Sequence, residues 1–336
     1  MATDTARRAA SAATAGTGLG TWALTQVVSV QREHAAILST HAHTSFNFAA
    51  RFLPPVQRRA ATDLYAFFRT LDDLVDTAQG VAAQEAVRDE LLRWWTWLDG
   101  DLRAAAPREP MGTRLATTLQ HHAIPVFTAQ NLIEGLLADL GPRQIADDDE
   151  LERYCFQVAS TVGVAMAHIL GSTSPAALRA ATDLGAAMQL TNIVRDVGED
   201  LALGRVYLPQ SLLHRYDLSP TTLQAMLRVG PDAGYCAALQ SVMSRATSLY
   251  AQSLPGIWLL PSRSRLPILL AGRLYARLLP HIERAEYDTL RQRVSTSRRD
   301  KLDELRQCVW LLARPPRSVR PPVALPPPAQ GGTPWT

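Results

Sequence analysis

From about residue 32 to residue 313, apolar side chains recur at three- and four-residue intervals, and no segment sustains a two-residue alternation. A chain patterned this way can bury its apolar faces only by packing helix on helix. Breaks are expected where Pro and Gly cluster: LPP at 53–55, APREPMG at 106–112, GPR at 141–143, GSTSP at 171–175, LSP at 218–220 and the LP pairs at 254–255 and 260–261. The expectation is a single all-α domain over residues 32–313. Residues 1–31, rich in small side chains, read as a weakly ordered extension, and 314–336, PPRSVRPPVALPPPAQ and its flanks, as a Pro-rich disordered tail.

Composition narrows the partners. With 47% hydrophobic residues in 336, the chain can bury a substantial core. The formal charge of +3 is spread out and aromatics are few, which is no nucleic-acid signature. Lys301 is the only lysine, so the cationic charge is almost all arginine, suited to bidentate recognition of phosphate or carboxylate. Cys155, Cys236 and Cys308 are widely separated and read as free thiols in a reducing, cytoplasmic compartment. No apolar run reaches the roughly 18 residues a spanning helix needs. The first residues lack the compact apolar core of a signal peptide.

The stretch RTLDDLVD at 69–76 crowds acidic residues against apolar ones. Placed on a helix, Tyr65, Arg69, Asp72 and Asp76 form one stripe, and Leu64, Phe68, Leu71 and Val75 form another about 100° away. The carboxylates therefore border the apolar face instead of opposing it. In a partly enclosed site, two carboxylates about 6 Å apart repel by roughly 3 kcal/mol at an effective dielectric near 20. A divalent cation would offset that better than Arg69 alone. By itself such a run reads more often as a solvated face than as a metal site.

A second stretch shifts the balance. In QLTNIVRDVGEDLALGRVYLP, residues 189–209, a continuous helix would align Gln189, Asn192, Asp196 and Asp200 beside an apolar stripe of Leu190, Ile193, Val197 and Leu201. Asn and Asp oxygens are hard ligands, suited to Mg²⁺ or Mn²⁺. Gly198 inside a helix costs about 1 kcal/mol relative to Ala, which points to a close approach or a bend. Arg69, Arg195 and Arg205 lie near the carboxylates in sequence. Carboxylates, arginines and divalent cations together fit a metal–diphosphate complex held between two opposed helices.

With these residues in view, the chain resembles the squalene/phytoene synthase family, on its bacterial phytoene synthase side, from about Ser45 to Leu302. SFNFAARFLPPVQRRAATDLYAFFRTLDDLVD looks like the first signature, with its D-x-x-x-D at Asp72 and Asp76. YCFQVASTVG (154–163) resembles the central block. The 189–209 stretch resembles the second acidic signature with its following G-R-x-Y-L-P, and AGRLYARLLPHIERAEYD the late tyrosine helix, with Arg293 downstream. Four motifs in order are specific where either acidic pair alone is weak.

The resemblance implies the all-α isoprenoid synthase (class I terpenoid synthase) fold, a helical bundle around a central cavity. It implies a prenyltransferase that condenses two geranylgeranyl diphosphates head to head into phytoene, for carotenoid biosynthesis. Carried over residue by residue, Asp72, Asp76, Asn192, Asp196 and Asp200 are metal positions for Mg²⁺ or Mn²⁺. The four aspartates with Tyr65 and Arg69 form the catalytic set. Ser45, Tyr65, Arg69, Tyr154, Gln189, Arg195, Arg205, Tyr207, Tyr275 and Arg293 are substrate-binding positions. The chain departs from the family at Thr44, where a basic residue is usual; His43 or Arg51 is the replacement the sequence offers.

Two alternatives remain at this level: a farnesyl-diphosphate enzyme making presqualene diphosphate or dehydrosqualene, and a non-catalytic assembly-factor relative. The second should have lost acidic residues that this chain keeps. GTGLG at 16–20 has no strand before it and is a weak dinucleotide motif, so NADPH is not expected. Ala159, Val162, Gly163, Val164 and Ala165 are expected to line the chamber for the carbocations, and Ala49 and Ala50 leave room there for a longer chain, although helix packing explains those two alanines equally well. His121, His122 and His168 lack partners at ligand spacing. RWWTW at 93–97 reads as packing ahead of a membrane anchor. Oily substrates and product still favour peripheral contact with a membrane.

Overall fold

The computed structural model describes residues 45–314; the N-terminal extension, His43, Thr44 and the Pro-rich tail lie outside the described residues. The chain is built from helices α1 (Ser45–Ala50), α2 (Pro55–Thr77), α3 (Val81–Asp99), α4 (Met111–His121) and α5 (Phe127–Ala138), followed by α6 (Asp148–Cys155). A π-helical turn, Phe156–Ser160, joins α6 to α7 (Thr161–Ile169). Then come α8 (Pro175–Arg195), α9 (Val197–Ala202), α10 (Gln210–Arg215), α11 (Pro220–Val229) and α12 (Ala233–Ser253). A 3₁₀ segment, Leu254–Leu259, leads into α13 (Ser262–Ala276), α14 (Leu278–Arg284) and α15 (Arg298–Ala313).

The expected breaks at 53–55, 106–112, 141–143, 171–175, 218–220 and 260–261 all separate helices, while the LP pair at 254–255 opens the 3₁₀ segment. Helix starts follow the sequence chemistry. The Asp147 carboxylate accepts the backbone N–H of Glu150 at 2.9 Å, and Pro175 and Pro220 sit at first-turn positions behind capping serines.

The interior divides into three apolar clusters. One gathers α2 to α5 around Phe67, Leu71, Leu91 and Trp94. A second gathers α8, α10, α11 and α12 around Leu190, Val194, Tyr235 and Leu239. A third ties α1, α13 and α15 together through Leu53, Leu270, Leu274 and Cys308. Trp94 is fully buried and Trp97 nearly so, its indole donating to the Ala104 carbonyl at 3.1 Å, so RWWTW is a packing element. Helix α8 runs through the centre of the bundle. A Cβ on Gly185 would lie 2.5 Å from the Ala159 carbonyl oxygen, so only glycine lets α8 approach the π-turn this closely.

Two short features break the all-helical pattern. Arg143–Gln144 (β1) and Arg205–Val206 (β2) pair in parallel, with Arg143 opposite Arg205. Two-residue strands carry no periodicity that a sequence can reveal. More consequential is the second acidic stretch, which is not one continuous helix. Helix α8 ends at Arg195, Asp196 sits at the break with φ −104° and ψ 15°, and α9 starts at Val197. The cause is the loop after α14: the Thr289 carbonyl accepts the Gly198 N–H at 3.1 Å, and a Cβ on Gly198 would lie 2.1 Å from the Leu290 carbonyl oxygen. Gly198 thus serves both the bend and the close approach.

Candidate active site

A cavity of about 660 Å³ opens where α2, α5, α8, α13 and the loop after α14 converge. Tyr65, Arg69 and Asp72 from α2 line it, with Gln189, Asn192 and Arg195 from α8, Tyr275 from α13 and Arg293 from the loop. Amphipathic geometry puts them there. Leu64, Phe68, Leu71 and Val75 are buried in the core, and that anchors α2 with its acidic edge turned to the opening.

Each acidic motif is held by arginine. Arg69 Nη1 donates to Asp72 at 2.6 Å, and Arg69 Nη2 lies 2.7 Å from Asp73. Arg205 Nη1 donates to Asp76 Oδ1 at 2.7 Å. Asp196 is gripped by Arg195, whose Nε donates to Oδ1 at 2.7 Å, and by Arg293, 3.1 Å from the same oxygen. Arg293 also reaches Glu199 at 3.3 Å.

Negative charge nevertheless remains in excess. Burial, then repulsion from Asp76, pushes the Asp72 carboxyl up to about 6. Burial, then Asp196, pushes Asp200 up to about 8. Asn192 donates to Gln189 at 3.2 Å, but its own Oδ1 is buried without a hydrogen-bond partner. An orphaned amide oxygen beside carboxyls that resist ionisation is a donor set short of a cation. Among the described residues no three acidic, His or Cys side chains converge into a ready metal cage. The oxygen donors of Asp72, Asp76, Asn192, Asp196 and Asp200 fit a hard divalent cation in chemistry.

Not every residue read as a contact lies on the cavity wall. Arg205 and Tyr207, 7% and 6% exposed, sit behind it, and Asp76, Asp196 and Asp200 flank the lining instead of forming it. Arg51 is exposed and outside the lining, and the Ser45 side chain is not among those described. His121 and His122 contact each other edge to face, away from the site.

One acidic residue escaped the sequence reading. Asp139, 4% exposed just after α5, accepts Arg143 Nη1 at 2.8 Å and the Tyr154 hydroxyl at 3.0 Å. Burial, opposed by Arg143, still raises its carboxyl above the usual range. It lies within electrostatic reach of both Asp72 and Asp200, between the two acidic motifs. The Arg143 guanidinium covers the Tyr154 ring at 4.6 Å, and Tyr154 stacks on Tyr207 at 4.7 Å with an 11° interplanar angle. The two tyrosines thus brace Asp139 and the β1–β2 pair.

Beyond the charged mouth an apolar chamber of about 310 Å³ continues inward. Tyr65, Phe68, Val158, Val162, Gln189, Asn192 and Tyr275 line both spaces, so the two are continuous. Ala159, Val162 and Gly163 face the chamber as expected; Val164 and Ala165 do not, because they turn into the packed core. Ala49 is likewise core and Ala50 packs against it, neither lining the chamber.

The squalene/phytoene synthase family profile matches residues 39–300. The chain belongs to that family. Phytoene synthase of Thermus thermophilus is 38% identical over 258 residues, 76% of this chain and 84% of that protein. The 15-cis-phytoene synthase of a Paracoccus species is 33% identical over 285 residues, 82% and 90% of the respective chains. Among solved structures, a dehydrosqualene synthase in complex with a ligand superposes with a TM-score of 0.73 at 26% identity, over 84% of this chain and 97% of its own. Squalene synthase from Alicyclobacillus acidocaldarius gives 0.63 at 25%, over 78% and 97%. The bundle of this squalene/phytoene synthase family member is thus the isoprenoid synthase fold, with the charged mouth at its cavity entrance.

Proposed function

We propose that the protein is a phytoene synthase, joining two geranylgeranyl diphosphates head to head through prephytoene diphosphate with loss of both diphosphates. The observation that carries this reading is the unbroken wall from charged mouth to apolar chamber. One end suits a diphosphate and the other a long prenyl chain. The relatives of highest identity among those described are named phytoene synthases and span most of the chain.

Length supports the C20 substrate. The chamber follows α8 from Asn192 to Ala177, about 22 Å at about 1.5 Å of rise per residue. An extended isoprene unit adds about 5 Å, from four bonds of about 1.5 Å foreshortened by the bond angle. Four units therefore fill the chamber, whereas the three of a farnesyl chain leave its end empty. The farnesyl reading draws on the dehydrosqualene synthase neighbour, at 26% identity.

Arg69, Arg195 and Arg293 present cationic groups to the diphosphate at the mouth, where burial strengthens their attraction to it. Asp72, Asp76, Asn192, Asp196 and Asp200 would hold Mg²⁺ or Mn²⁺, which when bound supplies the charge that draws diphosphate away from the allylic carbon. The allylic cation then sits against Phe68, Val158 and Val162, which exclude water and offer no nucleophile. The double bond of the second substrate attacks it, and proton loss closes the cyclopropane. A second ionisation, rearrangement and deprotonation give the hydrocarbon without a reductant, so no NADPH is required. Tyr65 and Tyr275 lie at the junction of mouth and chamber, and burial raises the Tyr65 hydroxyl above its ordinary value, keeping it neutral as a hydrogen-bonding group.

No described helix is long and apolar enough to cross a membrane. The reading has the enzyme meet its oily substrates and product by peripheral contact with a membrane surface from the cytoplasm. Diphosphate release from geranylgeranyl diphosphate tests the metal element. It should stop in EDTA and return with Mg²⁺ or Mn²⁺; undiminished release in EDTA would remove that element.

A further inference from the structure

The inner end of the apolar chamber is closed by Leu170 at the end of α7 and by Ile257 and Leu260 from the 3₁₀ segment and its exit, all three at most 8% exposed. The backbone that carries these residues is fixed from behind: the Ile257 carbonyl accepts the Leu260 N–H at 3.3 Å, and side chains satisfy the carbonyls of Leu170, Trp258, Leu259 and Leu260. Gln57 Nε2 donates to the Leu170 carbonyl at 3.5 Å, and the fully buried Ser264 hydroxyl donates to Gln57 Oε1 at 2.9 Å. Ser172 Oγ donates to the Leu259 carbonyl at 2.9 Å. Arg265 donates from Nε to the Leu260 carbonyl at 2.9 Å and from Nη2 to the Trp258 carbonyl at 3.1 Å. Irregular backbone with every such acceptor occupied is held in one position, as a stop must be. A soft end formed by side chains alone would yield to one more isoprene unit.

We infer that Leu170, Ile257 and Leu260 form a rigid stop that sets the prenyl chain length accepted by this chamber, with Ala180 leaving the space for the fourth isoprene unit. This deepens the phytoene synthase reading and rests on it. Ala180 lies on α8 twelve residues, about 18 Å, before Asn192, beyond the roughly 15 Å reach of three extended units and within that of four. A phenyl ring there occupies the space of the last unit and leaves the first three unobstructed. Trimming Ile257 and Leu260 instead deepens the chamber without touching the mouth.

The test measures affinity of the full-length protein, with Mg²⁺, for the unreactive C15, C20 and C25 prenyl thiolodiphosphates by calorimetry. Ala180→Phe should lower the C20-to-C15 affinity ratio at least tenfold, and the double variant Ile257→Ala/Leu260→Ala should raise the C25-to-C20 ratio at least tenfold. Unchanged ratios in both variants, or equal loss for every chain length, overturn the stop. Should Ala180→Phe fail to fold, the double variant decides alone. Turnover of geranylgeranyl diphosphate by the wild type separates this from the parent reading: phytoene formation with unmoved ratios defeats the stop and leaves the synthase standing. Shifted ratios without phytoene do the reverse.

Discussion

Arg205 and Asp76 lie 129 positions apart in sequence and meet at 2.7 Å, Nη1 to Oδ1. The pair joins the first acidic helix to the strand that follows the second acidic motif, and β1–β2 pairing sets Arg143 opposite Arg205. The two motifs are thereby held at one spacing before any ligand arrives. Removing the guanidinium strands Asp76, whose side chain is 36% exposed, so the loss is smaller than for a fully buried pair. Arg205→Ala should cost about 2–3 kcal/mol of stability and lower kcat/KM by at least 100-fold. Arg205→Lys should recover part of the stability and less of the activity, because a point charge cannot reproduce the fork. Thermal unfolding and steady-state kinetics check both, and wild-type activity in Arg205→Ala would contradict the bracing role.

Gly198 controls the loop that carries Arg293. An added Cβ would lie 2.1 Å from the Leu290 carbonyl oxygen, so that strand of loop must retreat. Gly198→Ala is expected to raise KM for the diphosphate about tenfold or more, through displaced Arg293, with helix content unchanged by circular dichroism.

Asp139 should prove a positioning residue. Asp139→Asn leaves the buried Arg143 with only the more distant Glu150 carboxylate, 3.8 Å away, and both kcat and melting temperature should fall. Tyr154→Phe removes one hydrogen bond while keeping the stacked ring, at about 1 kcal/mol. A Tyr154→Phe variant as damaged as Asp139→Asn would show that the hydroxyl, not the carboxylate, is the element that matters.

The carboxyl of Asp200 makes stability depend on pH. Its folded value, about 8, stands above the ordinary 3.8, so its favourable contribution is full below pH 4 and is lost as pH rises through 8. In EDTA the wild-type melting temperature should fall between pH 6 and pH 8.5, and Asp200→Asn should flatten that fall. Mg²⁺ should stabilise the wild type more at pH 8.5 than at pH 6, since binding favours the ionised form. Parallel pH profiles for the two proteins would show that Asp200 is not the strained group.

Much of this arrangement was legible in the sequence because it follows local rules. The stripe of Tyr65, Arg69, Asp72 and Asp76 needs only a helical repeat, and the core contacts of Leu64, Phe68, Leu71 and Val75 fix which way it faces. Proline and glycine clusters marked the helix ends for the same reason. What stayed hidden depends on tertiary contact. The break at Asp196 is imposed by the backbone of Thr289 and Leu290, distant in sequence. Asp139 follows α5, and although Arg143 stands four residues on, the chain has left the helix by then, so the pair's significance appears only when Arg143 and Tyr154 fold onto it. Val164 and Ala165 continue an apolar run whose other members face the chamber, and periodicity cannot tell a cavity wall from a packed one. Arg205 and Tyr207 carry the right chemistry but stand behind the wall they support.

The most direct measurement is product chromatography of the purified protein given geranylgeranyl and farnesyl diphosphates side by side, with Mg²⁺ and no reductant. The account predicts phytoene from the C20 substrate with two diphosphates released per hydrocarbon, and little or no turnover of the C15 substrate. A C30 product from farnesyl diphosphate alone, or no hydrocarbon from either, would contradict it.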